Sequence, residues 1–280
     1  MITGGASGIG KLMGQIMAKK GATIIIWDID EKKLKSAAKE IKDAGGNVIT
    51  NKCDITDRKL VYRTAQKVKE KVGNVDILIN NAGIVTGKPF WECTDEELQA
   101  TMDVNTMGLF WTVKAFLPDM IEANSGHLVT ISSAAGMVGA TRLTDYNASK
   151  FAAFGFDESL RMEFRRRKMN IRTTIICPYF INTGMFKGVK TRFPRLLPIL
   201  EEDVVARKIV KAIESNKARL IMPGLVYSSW IMRYLPVSVF DWISSFLGVS
   251  TAMDDFIGRE NDVSPNGRQK LADGKAQASG

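Results

Sequence analysis

The chain has 280 residues, 45% hydrophobic and 25% charged, with a formal net charge of +9. These are ordinary globular proportions, and a chain this long buries a core without staples. Three scattered cysteines (Cys53, Cys93, Cys177) and one histidine (His127) argue against a structural zinc site and a Ser-His-Asp triad, and unclustered thiols point to a reducing compartment, in the cytoplasm or on the cytoplasmic face of a membrane.

Met1-Ile2 leads straight into Thr3-Gly4, with no signal peptide. A strand should precede a glycine turn of this kind. With only two residues left for it, the expectation is that the natural chain begins earlier, so a missing N-terminal anchor says nothing about the full protein. The run 22–28 (ATIIIWD) is rich in β-branched residues and predicts a buried strand. A helix over 31–44 follows, with Leu34, Ala37, Ala38 and Ile41 on one stripe and Gly45-Gly46 as its stop. Strand 47–53, helix 57–72 ended by Gly73, and strand 75–80 come next. One long helix is predicted over 95–123, with Thr94 as N-cap and Glu97 completing a capping box. Strand 127–132, helix 145–167, strand 171–177, helix 201–216 and strand 219–222 complete the alternation. His127, at the head of an apolar run, reads as structural.

Strands alternating with helices predict an α/β fold: a Rossmann-type doubly wound parallel sheet, helices on both faces, in a single domain over 1–260. Apolar residues nearly vanish beyond it, so 261–280 is predicted to be a disordered tail. Arg165-Arg166-Arg167-Lys168 sits at a predicted helix end, where cations suit the dipole; contact with an anionic surface is the other reading. No nucleic-acid motif accompanies the positive charge, so DNA and RNA are discounted as partners.

Tyr146 and Lys150 lie one helical turn apart in Tyr-Asn-Ala-Ser-Lys. A cation beside a phenol favours its ionised form, which predicts a Tyr146 pKa lowered towards working pH and a proton donor and acceptor. Thr3-Gly4-Gly5-Ala6-Ser7-Gly8-Ile9-Gly10 is a glycine-rich turn, and a helix starting near Gly8 would aim free amides at a pyrophosphate. Asp28, 24 residues after Gly4 at the end of the next strand, can bond adenosine ribose hydroxyls and repel a 2′-phosphate. That favours NAD over NADP, although Lys11 near the turn could help hold a phosphate. Asp54, directly after the third strand, is placed to reach adenine and can also cap the following turn.

These pieces, in order, resemble the short-chain dehydrogenase/reductase family over about 2–225: TGGASGIG at 3–10, Asp54-Ile55, Asn80-Asn81-Ala82-Gly83, Asn105, Ser133, Tyr146-x-x-x-Lys150 and Pro178. The resemblance implies that Tyr146 is the general acid/base and that Lys150 lowers its pKa and holds the nicotinamide ribose. Ser133 would bond the substrate oxygen, and Asn105 would bind a water linking Lys150 to solvent. It further implies cofactor contacts from Gly4, Ser7, Gly8, Ile9, Gly10, Asp28, Asp54, Ile55, Asn81, Ala82 and Gly83, and from Pro178, Ile181 and Thr183 beside the nicotinamide; no metal is implied. Where the family often has Pro-Gly this chain has Pro178-Tyr179, so Tyr179 would crowd the nicotinamide mouth and, with Ser133 and Phe186, meet the substrate.

A narrower likeness, carried by 177–186, 196–213 and 253–259, is to the membrane-associated retinol and 17β-hydroxysteroid dehydrogenase subgroup. It implies a lipophilic alcohol or ketone substrate. Residues 184–200 are expected to form a flap over it. The aromatic stretch 224–250, too broken for a membrane span, reads as core or dimer contact, as a surface-lying lipid contact, or as a substrate lid. A homodimer or homotetramer is expected on family analogy. The rival functions are an NADPH-linked 3-oxoacyl reductase, which Asp28 opposes, and a catalytically idle scaffold at a lipid surface.

Overall fold

The structure is a computed structural model describing residues 1–258; the predicted tail over 261–280 lies outside the described residues. In chain order the elements are β1 (Ile2–Thr3), α1 (Gly8–Ala18), β2 (Ile24–Asp28), α2 (Glu31–Asp43), β3 (Val48–Lys52), α3 (Arg58–Val72) and β4 (Ile77–Asn80). They continue with α4 (Asp95–Met102), α5 (Gly108–Glu122), β5 (Gly126–Ile131), α6 (Thr144–Arg166), β6 (Ile171–Pro178), α7 (Glu202–Glu214) and β7 (Arg219–Met222). Among the described residues the last two helices are α8 (Ser228–Met232) and α9 (Val237–Phe246).

The strands form one parallel seven-stranded sheet in the order β3-β2-β1-β4-β5-β6-β7. Successive residues of a strand face opposite sides, so both faces of a covered sheet must be apolar. β2 shows this directly. Ile24 and Ile26 pack with Met13 of α1, Ile41 of α2 and Ile209 of α7, while Ile25 and Trp27 pack with Val61 of α3 and Phe116 of α5. Trp27 and Phe116 meet with ring centroids 5.7 Å apart. Each fully buried side chain of this size contributes about 1.5–3 kcal/mol.

The predicted alternation is present, with boundaries shifted by one or two residues. Thr94 and Glu97 form the capping box, each side chain meeting the other's backbone N–H. Gly73 ends α3 at φ 75. The predicted helix 95–123 is interrupted: Asp103–Met107 form a π-helical turn between α4 and α5. Hydrophobic spacing does not reveal the extra residue that such a turn inserts, and such turns gather at functional sites. His127 is buried in β5, where Nε2 meets Thr174 Oγ1 at 2.7 Å; burial holds its ring well down, at about 4, so it is a neutral structural residue.

α6 also buries a carboxyl. Burial pushes Asp157 up to about 7, against hydrogen bonds from Thr130 and Thr173 that pull it down. An unfolded aspartate titrates near 3.9. Between those values the folded chain holds a proton that the unfolded chain has lost. The stability from this group is therefore complete below about pH 4 and is lost as pH rises through about 7. Asp157→Asn should melt above wild type at pH 8, with the gap narrowing by pH 5; parallel melting curves across that range would contradict the assignment.

Candidate active site

The strand order reverses between β1 and β4, so the connections leaving them part and open a cleft at the carboxyl ends of the strands. Its wall begins with the glycine turn. The Thr3 hydroxyl accepts from the backbone N–H groups of Asn81 and Ala82, at 3.0 and 3.1 Å, and Asn81 Nδ2 donates to the carbonyls of Thr3 and Gly4, both at 3.0 Å. The fit leaves no room for side chains: a Cβ on Gly4 would stand 2.9 Å from Ala82 Cα, and one on Gly10 would stand 2.5 Å from the Gly4 carbonyl. Gly10 is thus a packing glycine behind the turn. Gly4, Ser7, Gly8 and Ile9 border the cleft. Gly8, at φ +52, opens α1, whose first turn carries no acid and whose N-cap, Ser7, makes no side-chain cap, so the amides point into the cleft uncapped.

The cleft has a volume of about 1250 Å³, beyond the roughly 300–1,000 Å³ of most small-molecule sites. It runs past Asp28, Asp54, Ile55, Asn81, Ala82 and Gly83 to Ser133, Tyr146, Lys150, Pro178, Tyr179, Ile181, Thr183 and Phe186. A dinucleotide fits these residues: amides for a pyrophosphate, an acid for a ribose, and an apolar far end. Asp28 accepts from Ala6 N–H through one oxygen and Asp30 N–H through the other, both at 3.1 Å, which fixes its carboxylate beside the turn. Lys11 turns away to Glu40 at 2.9 Å. Asp54 borders the cleft and also braces the turn after β3, receiving Thr56 N–H at 2.9 Å and Thr56 Oγ1 at 2.7 Å, while the N-cap of α3 is Asp57.

Tyr146 and Lys150 lie on α6 against β5, only 5% and 4% exposed. Lys150 Nζ donates to the Ile131 carbonyl at 3.0 Å and stands 5.5 Å from the centre of the Tyr146 ring. The expected lowering of the Tyr146 pKa is overturned. Burial pushes the phenol up to about 12, opposed by a hydrogen bond with Ser133, and pushes Lys150 down to about 8. Desolvation disfavours the charged form of each and is the largest cause of both shifts. Ser133 Oγ also donates to the Pro178 carbonyl at 3.4 Å and accepts from Ala135 N–H at 3.1 Å.

Asn105 sits in the π-helical turn. Its amide exchanges two hydrogen bonds with the backbone of Ile84, each 2.9 Å, and donates to Ser149 Oγ at 3.0 Å. With Lys150 it borders a cavity of about 10 Å³, the scale of one water. It is a strut between the loop after β4 and α6.

On the far side, Ser133, Tyr146, Tyr179 and Phe186 also line a second, mainly apolar cavity of about 90 Å³. Phe186 stands edge-on to Tyr146, centroids 5.8 Å apart, so the flap residue expected to meet substrate covers the phenol. Tyr179 borders both spaces.

Several supporting residues escaped the sequence reading. Asp145 Oδ2 accepts from Thr86 at 2.7 Å and Thr101 at 2.8 Å, tying the loop after β4, α4 and the start of α6 together. Asn147 Nδ2 holds the carbonyls of Ala135 and Val138, and Ser132 Oγ holds the Lys150 carbonyl at 2.9 Å. Ala252, Met253 and Phe256 pack around Tyr146, Leu143 and Val189. The first three adjoin the motif residues in sequence, which was a usable signal. Of the last group, over a hundred positions away, Met253 and Phe256 fall in the 253–259 stretch that carried the narrower likeness, but nothing there signalled packing on Tyr146.

The short chain dehydrogenase family profile matches residues 1–192. Epidermal retinol dehydrogenase 2 of Homo sapiens is 46% identical over 266 residues, covering 94% of this chain and 86% of that protein. Short-chain dehydrogenase/reductase 3 of Homo sapiens is 38% identical, covering 92% and 86%. Among solved structures, a short chain dehydrogenase/reductase from Burkholderia phymatum in complex with NAD superposes with a TM-score of 0.76 at 25% identity, over 85% of this chain and 93% of that one. A metagenomic short-chain oxidoreductase in complex with NADP gives 0.66 at 26%, over 79% and 94%. With the ordered motifs gathered on one cleft, this chain belongs to the short-chain dehydrogenase/reductase family, whose enzymes act on CH–OH donors with NAD(P).

Proposed function

We propose that the protein is an NAD-dependent oxidoreductase for a hydrophobic alcohol or ketone of retinoid or steroid type. The observation carrying this reading is that the Tyr146 phenol faces two spaces at once, a dinucleotide-sized cleft and a mainly apolar cavity. Two relatives named for retinol, epidermal retinol dehydrogenase 2 and Retinol dehydrogenase 10 of Rattus norvegicus (36% identical), support the substrate class.

A bound nicotinamide supplies or takes up the hydride. This chain's residues hold the proton and the oxygen. Ser133 orients the substrate oxygen by a hydrogen bond, and Tyr146 passes a proton to it or takes one from it. Lys150 favours the phenolate, and Asn105 steadies the helix that carries both. With Tyr146 pushed up to about 12, the phenol keeps its proton at neutral pH and is ready to donate. Ketone reduction is therefore expected to proceed at neutral pH, and alcohol oxidation to accelerate as pH rises. Tyr146→Phe should cut turnover about 10²–10⁴-fold and abolish that pH dependence. Full activity in the variant would remove Tyr146 from the acid/base role, whereas no turnover by the wild type across a panel of retinols, steroids and fatty alcohols would support the idle-scaffold reading instead.

The NAD preference rests on Asp28 and on the pairing of Lys11 with Glu40. Opposing a 2′-phosphate with a fixed carboxylate costs affinity. Asp28→Ala should lower the ratio of kcat/KM for NAD over NADP by at least about tenfold. A proportional loss with both cofactors would mean that Asp28 only braces the turn.

A second reading concerns the surface around the apolar cavity. Tyr234 is 92% exposed and Trp242 68%, and Ile231, Val237 and Leu196 stand out beside them. Arg192, flanking them, lies over Phe246 with its guanidinium 5.1 Å from the ring centre. Amphipathic aromatics beside cations suit an anionic lipid surface. Leu225, Met232, Phe240 and Leu247 of the same segment line the cavity, so a dissolved lipid would enter from that side. The protein should sediment with phosphatidylcholine vesicles containing phosphatidylserine, and Tyr234→Ala with Trp242→Ala should weaken that at least about tenfold. Undiminished sedimentation of the double variant would remove the reading.

A further inference from the structure

The turn that begins at Ser133 is gripped from outside as well as from within. Ala134–Gly136 form a 3-10 turn, with Ser133 as its N-cap and Met137 as its C-cap. Within the fold, Ser133 Oγ receives Ala135 N–H, and Asn147 Nδ2 donates to the carbonyls of Ala135 and Val138. Gly136 packs so closely on α6 that a Cβ there would stand 2.6 Å from the Lys150 carbonyl. The outer grip comes from Arg233, the C-cap residue of α8. Its Nε and Nη2 both donate to the Met137 carbonyl, at 3.1 and 2.7 Å. The same guanidinium lies over Phe151 of α6, 5.2 Å from the ring centre, and Phe151 directly follows Lys150. A carbonyl oxygen carries two lone pairs and a guanidinium presents its N–H groups in a fixed fork, so the pair sets direction as well as distance. Charge-assisted bonds of this kind are about twice as strong as neutral ones. Ala134, Ala135 and Val138 of the turn line the apolar cavity, and Leu225, Val226 and Met232 line it from the α8 side. Arg233 therefore ties two walls of that cavity together, four residues from Ser133. Arg233, Met137 and Ala134–Gly136 do not border the cofactor cleft.

We propose that Arg233 is a positioning residue for the reaction: by fixing the Met137 carbonyl it fixes the turn that opens with Ser133, and so sets where the Ser133 hydroxyl meets the substrate oxygen. A hydroxyl displaced by a fraction of an ångström stabilises the developing charge less well. Losing the grip loosens the substrate side and leaves the dinucleotide side as it was. This rests on the reading of Ser133 as the contact for the substrate oxygen, and adds to it a residue from a helix outside the sheet.

The test compares the full chain with Arg233→Ala and Arg233→Lys by amide hydrogen exchange, by NADH fluorescence on binding, and by oxidation of retinol, a hydroxysteroid and a fatty alcohol. The amides of Gly136, Met137 and Val138 bond within the turn, so their exchange reports its opening. Arg233→Ala should speed that exchange about tenfold and leave β5 unchanged. For whichever alcohol the wild type oxidises, kcat/KM should fall about tenfold, through kcat, with NADH affinity unchanged. Arg233→Lys keeps the charge without the fixed fork, so it should fall between the two, and it is read in the same way if the alanine variant does not fold. Unaltered exchange overturns the proposal whatever the turnover. Faster exchange with full kcat/KM overturns it too, as does a parallel loss of NADH binding and kcat, which marks a structural brace. Each of those outcomes sinks this inference alone, whereas a wild type that binds NADH and oxidises none of the three alcohols sinks the function reading and this role together.

Discussion

The clasp between Thr3 and Asn81 is the contact on which the rest of the molecule depends. A doubly wound sheet must reverse direction somewhere, and here it does so between β1 and β4. β1 pairs with β2 through Ile2 and Thr3 and with β4 through Ile2. Side chains tie the same junction, with the Thr3 hydroxyl on two amides and the Asn81 amide on two carbonyls. Close approach makes this possible, and glycine at positions 4 and 10 permits the approach. Much of the glycine pattern therefore serves the joint itself. Gly8 is the member that faces the ligand side.

From that joint the candidate acid/base pair, Tyr146 and Lys150, is placed by burial. α6 buries Tyr146 and Lys150 in consecutive turns, and the same desolvation that orders them raises one pKa and lowers the other. The cluster is held from three directions: by Ser132 and Ile131 at the end of β5, by Asn105 in the π-helical turn, and by the loop after β4 through Thr86 and Asp145. A charged amine and a phenol so enclosed need such bracing, because an unpaired buried polar group is expensive.

What was legible in the sequence follows the range of the interaction. Strand β2 announced itself through an unbroken apolar run, and Thr94 with Glu97 announced the start of α4, because both signals are local. The glycine turn, Asp28, Asp54, Asn81 and Ser133 were legible as cleft-wall residues because each follows or ends a strand in a doubly wound sheet. Three things were hidden. The π-helical turn at Asp103–Met107 leaves no trace in hydrophobic spacing. The balance of charge and desolvation at Tyr146 depends on burial, which the Tyr-x-x-x-Lys spacing does not contain. The packing of Met253 beside Tyr146 joins residues 107 positions apart, a distance no short-range pattern spans.

The roof over the phenol has a consequence of its own. It is assembled from Val85, Phe186, Val189 and Phe256, borrowed from three separate stretches of chain. Its closing backbone bonds are few, running from Ile257 to Lys187 and from Lys190 to Ala252. The stretches around 184–200 and 224–258 contribute no strand to the sheet beneath. Substitutions in those stretches can therefore reshape the entrance above Tyr146 while leaving untouched the sheet and the helix on which that residue is mounted.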